Sequence, residues 1–179
     1  MKLDDIIFEI KDWLIWIGGS MIAALIIINI SSAIMGTGTP FIAVTTGSMI
    51  HDNTIPISHV QWLKDRGFTE EQIKSFPLSG GFNPGDAIIV LGVKPEEIRI
   101  GDVIIFHQEG YNMPIIHRVY DITVREGMYY FSTKGDHNQV SDPWIVSQEA
   151  IEGRAWLWIP FIGIVNTVFV NLVNFLSGR

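Results

Sequence analysis

Four side chains in this sequence are of the types that together perform acyl transfer. Ser48 lies in Thr45-Thr46-Gly47-Ser48-Met49, and His117 lies in Ile115-Ile116-His117-Arg118-Val119. Asp136 and Asp142 lie six residues apart in the polar loop from Thr133 to Trp144. Serine is a weak nucleophile at its free pKa and needs a base within hydrogen-bond reach. Histidine titrates near neutrality, and a carboxylate on its far ring nitrogen fixes the tautomer and stabilises the imidazolium. Each residue alone has a plainer reading. A serine beside glycine is commonly a turn residue, a histidine between Ile116 and Val119 is commonly a satisfied core side chain, and an Asx-rich loop often bonds its own backbone. Rearranged as metal ligands, His107, His117, His137 and the aspartates would suit a hydrolytic metal, but no ligand spacing such as HxxxH occurs. No metal and no cofactor is therefore expected.

These residues need elements to hold them. The chain has 179 residues, room for one ordinary domain with appended membrane segments. Its charged fraction is 17%, low against a usual share of about 25%. The net charge of −7 offers no basic face for nucleic acid. Cysteine is absent, which removes disulfides, thiolate metal sites and cysteine nucleophiles together. From Trp13 to Met35 no residue is charged, with Asp12 before the run and Asp52 the next charge after it. About 20 apolar residues in helix cross a hydrocarbon core, and Trp13 and Trp16 suit the headgroup level. The tail 1–12 carries Lys2 and Lys11 against four acids, unlike the basic start of a cleaved signal peptide. An uncleaved membrane anchor over 13–35 is expected, with too few flanking Lys and Arg to orient it.

Beyond the anchor, residues 36–154 read as a β-rich domain. Phe41-Ile42-Ala43-Val44 is a short strand delivering Ser48. Ala87–Leu91, Val103–Phe106, Ile115–Ile122 and Met128–Thr133 are further strands, bounded by Asn83-Pro84-Gly85-Asp86, Gly101-Asp102 and Arg125-Glu126-Gly127. Short strands with no helical period between them predict a mainly β, antiparallel, barrel-like domain. Residues 51–82 interrupt it as a small helical insertion, where Thr69 and Gln72 have capping-box spacing. His51 and His59, within it, are read as surface residues. The stretch 155–179 begins uncharged with Trp156 and Trp158 and is read as a hydrophobic helix and second membrane span, despite Pro160 and three asparagines.

Thr46-Gly47-Ser48-Met49, Gly101-Asp102-Val103-Ile104-Ile105-Phe106, Ile116-His117-Arg118-Val119 and Lys134-Gly135-Asp136-His137-Asn138 through Asp142 follow in the order of the type I signal peptidase boxes. From Trp13 to Gly163 the chain resembles the archaeal and endoplasmic-reticulum branch of that family, in which histidine replaces the bacterial catalytic lysine. No lysine lies between Lys94 and Lys134. The resemblance implies Ser48 as nucleophile, His117 as general base, Asp142 as the acid orienting the histidine and Asp136 as a supporting carboxylate. It also implies an oxyanion site from the Ser48 N–H and the Thr46 hydroxyl. Two departures stand out: Ile50-His51 follows Ser48-Met49 where the family has a proline at the second position, and 51–82 is additional.

The implied activity is removal of N-terminal signal peptides from preproteins, cutting after small residues, at a membrane (cell membrane, or endoplasmic reticulum in a eukaryote) with the catalytic domain on the non-cytoplasmic side. Its partners would be the signal peptide, the bilayer and fellow subunits or the translocon. Phe41, Ile42, Val44 and Ile104 are expected to wall the shallow apolar subsites. The alternative class is a catalytically inactive, membrane-anchored β module that binds or assembles.

Overall fold

In the computed structural model, residues 3–52 and 54–160 are described, with side chains from residue 8 onward. The first helix, α1, runs Leu3–Met35 and so starts ten residues before the uncharged run, absorbing most of the expected tail. Nothing in the acidic leader breaks a helix, so hydrogen bonding propagates through it. Within it, Phe8–Met35 contains an 18-residue window of mean hydropathy 2.1, none of it buried in the protein. At 1.5 Å per residue those 28 residues reach about 42 Å, more than a hydrocarbon core of about 30 Å. Gly36 ends the helix in the left-handed region (φ 65°), and Thr37 N donates to Ser32 O at 3.3 Å, the six-to-one bond of a Schellman cap. The cap is pressed onto the domain: Gly92 N donates to Met35 O at 2.7 Å, and Thr37 Oγ1 donates to Glu152 O at 3.0 Å.

The domain itself is a seven-stranded antiparallel sheet. Its strands are β1 (Phe41–Ala43), β2 (Ala87–Leu91), β3 (Val103–Phe106), β4 (Ile115–Arg125), β5 (Met128–Lys134), β6 (Val146–Ser147) and β7 (Ile151–Ile159). In space they run β1-β2-β7-β3-β4-β5-β6. Register shifts at Ile89/Val90, Ile105/Phe106 and Val119/Asp121 mark bulges, which bend strands and strengthen twist. β4 and β5 are joined by a two-residue turn, Glu126-Gly127, both at positive φ, the hairpin geometry that matches strand twist.

β3 is buried at every position because the sheet is covered on both faces. Val103 and Ile105 join Val44, Met49, Phe82, Ile88 and Val90 in one core cluster. Ile104 and Phe106, on the other face by strand parity, join Ile98, Val119, Phe131 and Val146. The helical insertion folds as α2 (His59–Lys64) and α3 (Glu70–Ser75), the latter with the Thr69–Gln72 capping box formed in both directions. Trp62, Leu63 and Ile73 bury a third, smaller cluster against Tyr120 of β4.

One boundary differs from the sequence reading. Residues 155–159 complete β7, paired with β2, rather than opening a helix. Gly153 and Ala155 are buried while Glu152 and Arg154 alternate with them, a period of two that gives way to the exposed run Trp156-Leu157-Trp158. The remainder of the expected second span, 161–179, lies outside the described residues.

Candidate active site

Ser48 follows β1 on a tight bend in which Ile50 N donates to Gly47 O at 3.2 Å. The segment is held from both sides. Val44 exchanges backbone bonds of 2.8 Å with the Gly85-Asp86 turn, and Phe82 N donates to Met49 O at 2.9 Å. From the loop after β5, His137 N donates to Ser48 O at 2.8 Å. That approach needs a glycine at 135, since a Cβ there would meet Ser48 O at 2.7 Å and His117 Nε2 at 2.8 Å. The serine segment and the histidine ring therefore meet across one missing side chain.

His117, on β4, is 7% exposed. Its Nδ1 lies 2.7 Å from Asp142 Oδ2, which also accepts from Thr133 Oγ1 at 2.6 Å. Asp142 N in turn donates to Thr133 O at 2.9 Å. With Nδ1–H given to the carboxylate, the neutral ring presents Nε2 as an acceptor. Ser48 Oγ lies 3.4 Å from Thr46 Oγ1, either of which can donate. Ser48, Thr46, His117 and Asp142 all line one cleft of about 530 Å³.

The two aspartates occupy different places. Asp136 does not contact His117. Its carboxylate is fully buried and accepts from Arg118, through Nε at 3.0 and 3.2 Å and Nη2 at 2.7 Å. Burial alone would raise its pKa, but the guanidinium charge and the bonds from His51 and Arg118 hold it well below the ordinary carboxylate range. His51 and His59, expected on the surface, both turn inward onto this group. His51 Nε2 lies 2.8 Å from Oδ2, and His59 Nδ1 lies 3.3 Å from Oδ1. Surface placement fails for His59, which is buried where 51–82 folds back over the sheet; His51 stays exposed as expected, with its ring reaching the ion pair.

Of the expected subsite walls, Ile42 and Val44 line the cleft. Phe41 and Ile104 do not. Phe41 alternates with Ile42 and is 47% exposed, while Ile104 faces Phe106 and Phe131 in the opposite core cluster. Residues not singled out from the sequence, including Met113, Ile115, Ile116 and Trp144, form much of the remaining wall. The apolar run just before His117 was the available signal for three of them. By type and proximity, only His51, His59 and Asp136 form a metal-compatible group among the described residues; His107 pairs instead with Glu152, and His137 lies 3.5 Å from Asp52.

No family model matches the chain. It is 33% identical over 107 residues to the human signal peptidase complex catalytic subunit SEC11C, a match covering 52% of this chain and 55% of that protein. Over 103 residues it is 35% identical to the signal peptidase complex catalytic subunit sec11 of Dictyostelium discoideum, covering 51% and 57%. The chain thus spans little more than half the length of the curated relatives it matches.

Proposed function

We propose that this chain, whose homologues are catalytic subunits of signal peptidase complexes, is itself a membrane-tethered serine endopeptidase that removes signal peptides. The observation that carries the reading is the 2.7 Å His117–Asp142 pair in the same cleft as Ser48. A non-catalytic β module has no use for an imidazole oriented by a carboxylate beside a hydroxyl. In the proposed reaction Ser48 Oγ attacks the scissile carbonyl as its proton passes to His117 Nε2. The Ser48 N–H and Thr46 Oγ1 bond the oxyanion, and the imidazolium returns its proton to the leaving amine. Water, activated by the same histidine, then releases the acyl group. Asp142 keeps the ring in the productive tautomer throughout.

Substrate class follows from the same geometry. β1 is an edge strand, and an extended peptide lying beside it would gain strand-like hydrogen bonds while Ile42 and Val44 face its side chains. The resemblance to type I signal peptidases implies small residues one and three positions before the cut. Tethering by α1 puts the cleft at the bilayer surface, where the cleavage site of a signal peptide is presented at high effective concentration. The domain is assigned to the non-cytoplasmic side, and association with further subunits is proposed from the names of the relatives. The test is cleavage of a preprotein in detergent by the wild type and Ser48→Ala, each with and without EDTA. Cleavage that is lost in the variant and indifferent to chelator supports the reading. Equal cleavage by both proteins, or loss on chelation, contradicts it.

A further inference from the structure

The additional segment 51–82 does more than cover a surface: its two histidines converge on a carboxylate that belongs to the loop holding the catalytic groups. Asp136 follows Gly135, where a Cβ would collide with both Ser48 O and His117 Nε2, and precedes His137, whose N–H bonds Ser48 O. Its own N–H points at Met49 Sδ, 3.4 Å away. A shift of Asp136 therefore moves the distance between nucleophile and base. Arg118, next to His117 in β4, grips the carboxylate from one side and also donates to the carbonyls of Pro77, Leu78 and Gly101 at 2.7, 3.0 and 2.7 Å. Both ends of the insertion, His51 and His59 at its start and Pro77 and Leu78 near its end, are thus tied to a single buried ion pair.

We propose that His51 and His59 are positioning residues on the insertion, His51 hydrogen-bonding Asp136 and His59 packing its ring against the same carboxylate, and that together they fix the 135–142 loop against Ser48 and His117. The proposal rests on the peptidase reading above. Burial holds His59 down to about 4, so at neutral pH it is uncharged, and its buried Nδ1 faces Asp136 Oδ1 at 3.3 Å without completing a hydrogen bond. The rival occupant is a divalent metal, since the three ligand atoms lie within 4.8 Å of one another. Charge argues against it. Asp136 is the single carboxylate there, Arg118 already pairs with it, and Lys134 Nζ bonds the Gly135 and Asp136 carbonyls at 2.9 and 3.2 Å. A dication would enter a buried site that already holds two cations for one anion.

The experiment compares His51→Ala and His59→Ala with His51→Gln and His59→Asn in the full chain. The amides place an N–H where Nε2 and Nδ1 stand, yet ligate metals poorly. Displacing a catalytic group by a fraction of an ångström to 1 Å is expected to lower kcat about 10–100-fold in the alanine variants, with KM within about threefold of wild type. Both amide variants should return kcat to within about threefold of wild type. Amide hydrogen exchange over 135–142 should quicken in the alanine variants alone, a readout that holds even if no substrate is cleaved. Wild-type kcat and unaltered exchange in the alanine variants would overturn the proposal while leaving Ser48-dependent cleavage intact. Amide variants as impaired as alanine, with EDTA-sensitive wild-type activity, would overturn it in favour of a metal.

Discussion

Two His–Asp pairs in this molecule have nearly the same separation, 2.7 Å for His117–Asp142 and 2.8 Å for His51–Asp136, and they are built for opposite purposes. Around the first, no cation among the described residues hydrogen-bonds Asp142, which feels the Lys134 charge only through space: it takes its bonds from His117 and from a threonine hydroxyl, and the histidine's other nitrogen is turned toward the Ser48 segment. Around the second, a buried guanidinium already neutralises the acid, His51 adds one hydrogen bond, and His59 Nδ1 stands 3.3 Å off without one. Residue types and distance do not separate catalysis from architecture here. What separates them is where the remaining nitrogen points and whether another cation has claimed the carboxylate.

That contrast can be broken by substitution. Ser48→Ala and His117→Ala should each abolish turnover, by about 10⁴-fold or more, in a protein that still folds; progress curves on a preprotein decide it, and residual activity near wild type would remove the first pair from the chemistry. Thr46→Val is expected to lower kcat by about 10²–10³, the usual cost of an oxyanion donor, with KM little changed. At the second pair the larger loss should be of stability, beside a smaller one in kcat. Asp136→Ala leaves Arg118 buried without its anion and should cost about 3–5 kcal/mol, read from denaturant unfolding. A shift under 1 kcal/mol would show that the three carbonyls suffice for the guanidinium.

A smaller, pH-dependent effect sharpens the same comparison. His59 is held down to about 4 by burial, with the Arg118, His51 and Lys134 charges adding to it and Asp136 opposing. Between about 4 and the ordinary value of 6.5 the unfolded chain binds a proton there that the folded chain does not. Stability contributed by the neutral ring is therefore complete above about 6.5 and falls as pH drops toward 4, by on the order of 2–3 kcal/mol. His59→Asn should flatten that slope between pH 6.5 and 4; an unchanged slope would mean that His59 is not the group responsible.

Much of the fold was legible because its strands are apolar runs cut by strong turns. β2 and β3 lie at the expected positions, between Asn83-Pro84-Gly85-Asp86 and Gly101-Asp102 and the loops that follow. β7 was hidden because Trp156-Leu157-Trp158-Ile159 continues into an uncharged stretch, where length spoke for a helix and the alternation of Glu152 and Arg154 was the quieter signal. β6, at two residues, has no pattern to read. At the site, Ser48, His117 and Asp142 could be named through the order of four boxes, since each local pattern alone has a plainer reading; the fold brings all three to one cleft. His51 and His59 could not, since His51 meets a partner 85 residues away and only the folded insertion brings them together. Phe41 and Ile104 were misplaced for a related reason: period two says which residues share a face, and the sheet's curvature decides which face meets the cleft.

The central claim is that Asp142, and not Asp136, orients the catalytic imidazole. Its most direct test is kcat for Asp142→Asn and Asp136→Asn on the same preprotein, each corrected for the folded fraction. The account predicts a fall of about 10³–10⁴ for Asp142→Asn, as expected when a histidine loses its tautomer-fixing acid, and a fall of no more than about 10² for Asp136→Asn, through loop displacement. The reverse ranking would contradict it and transfer the orienting role to Asp136.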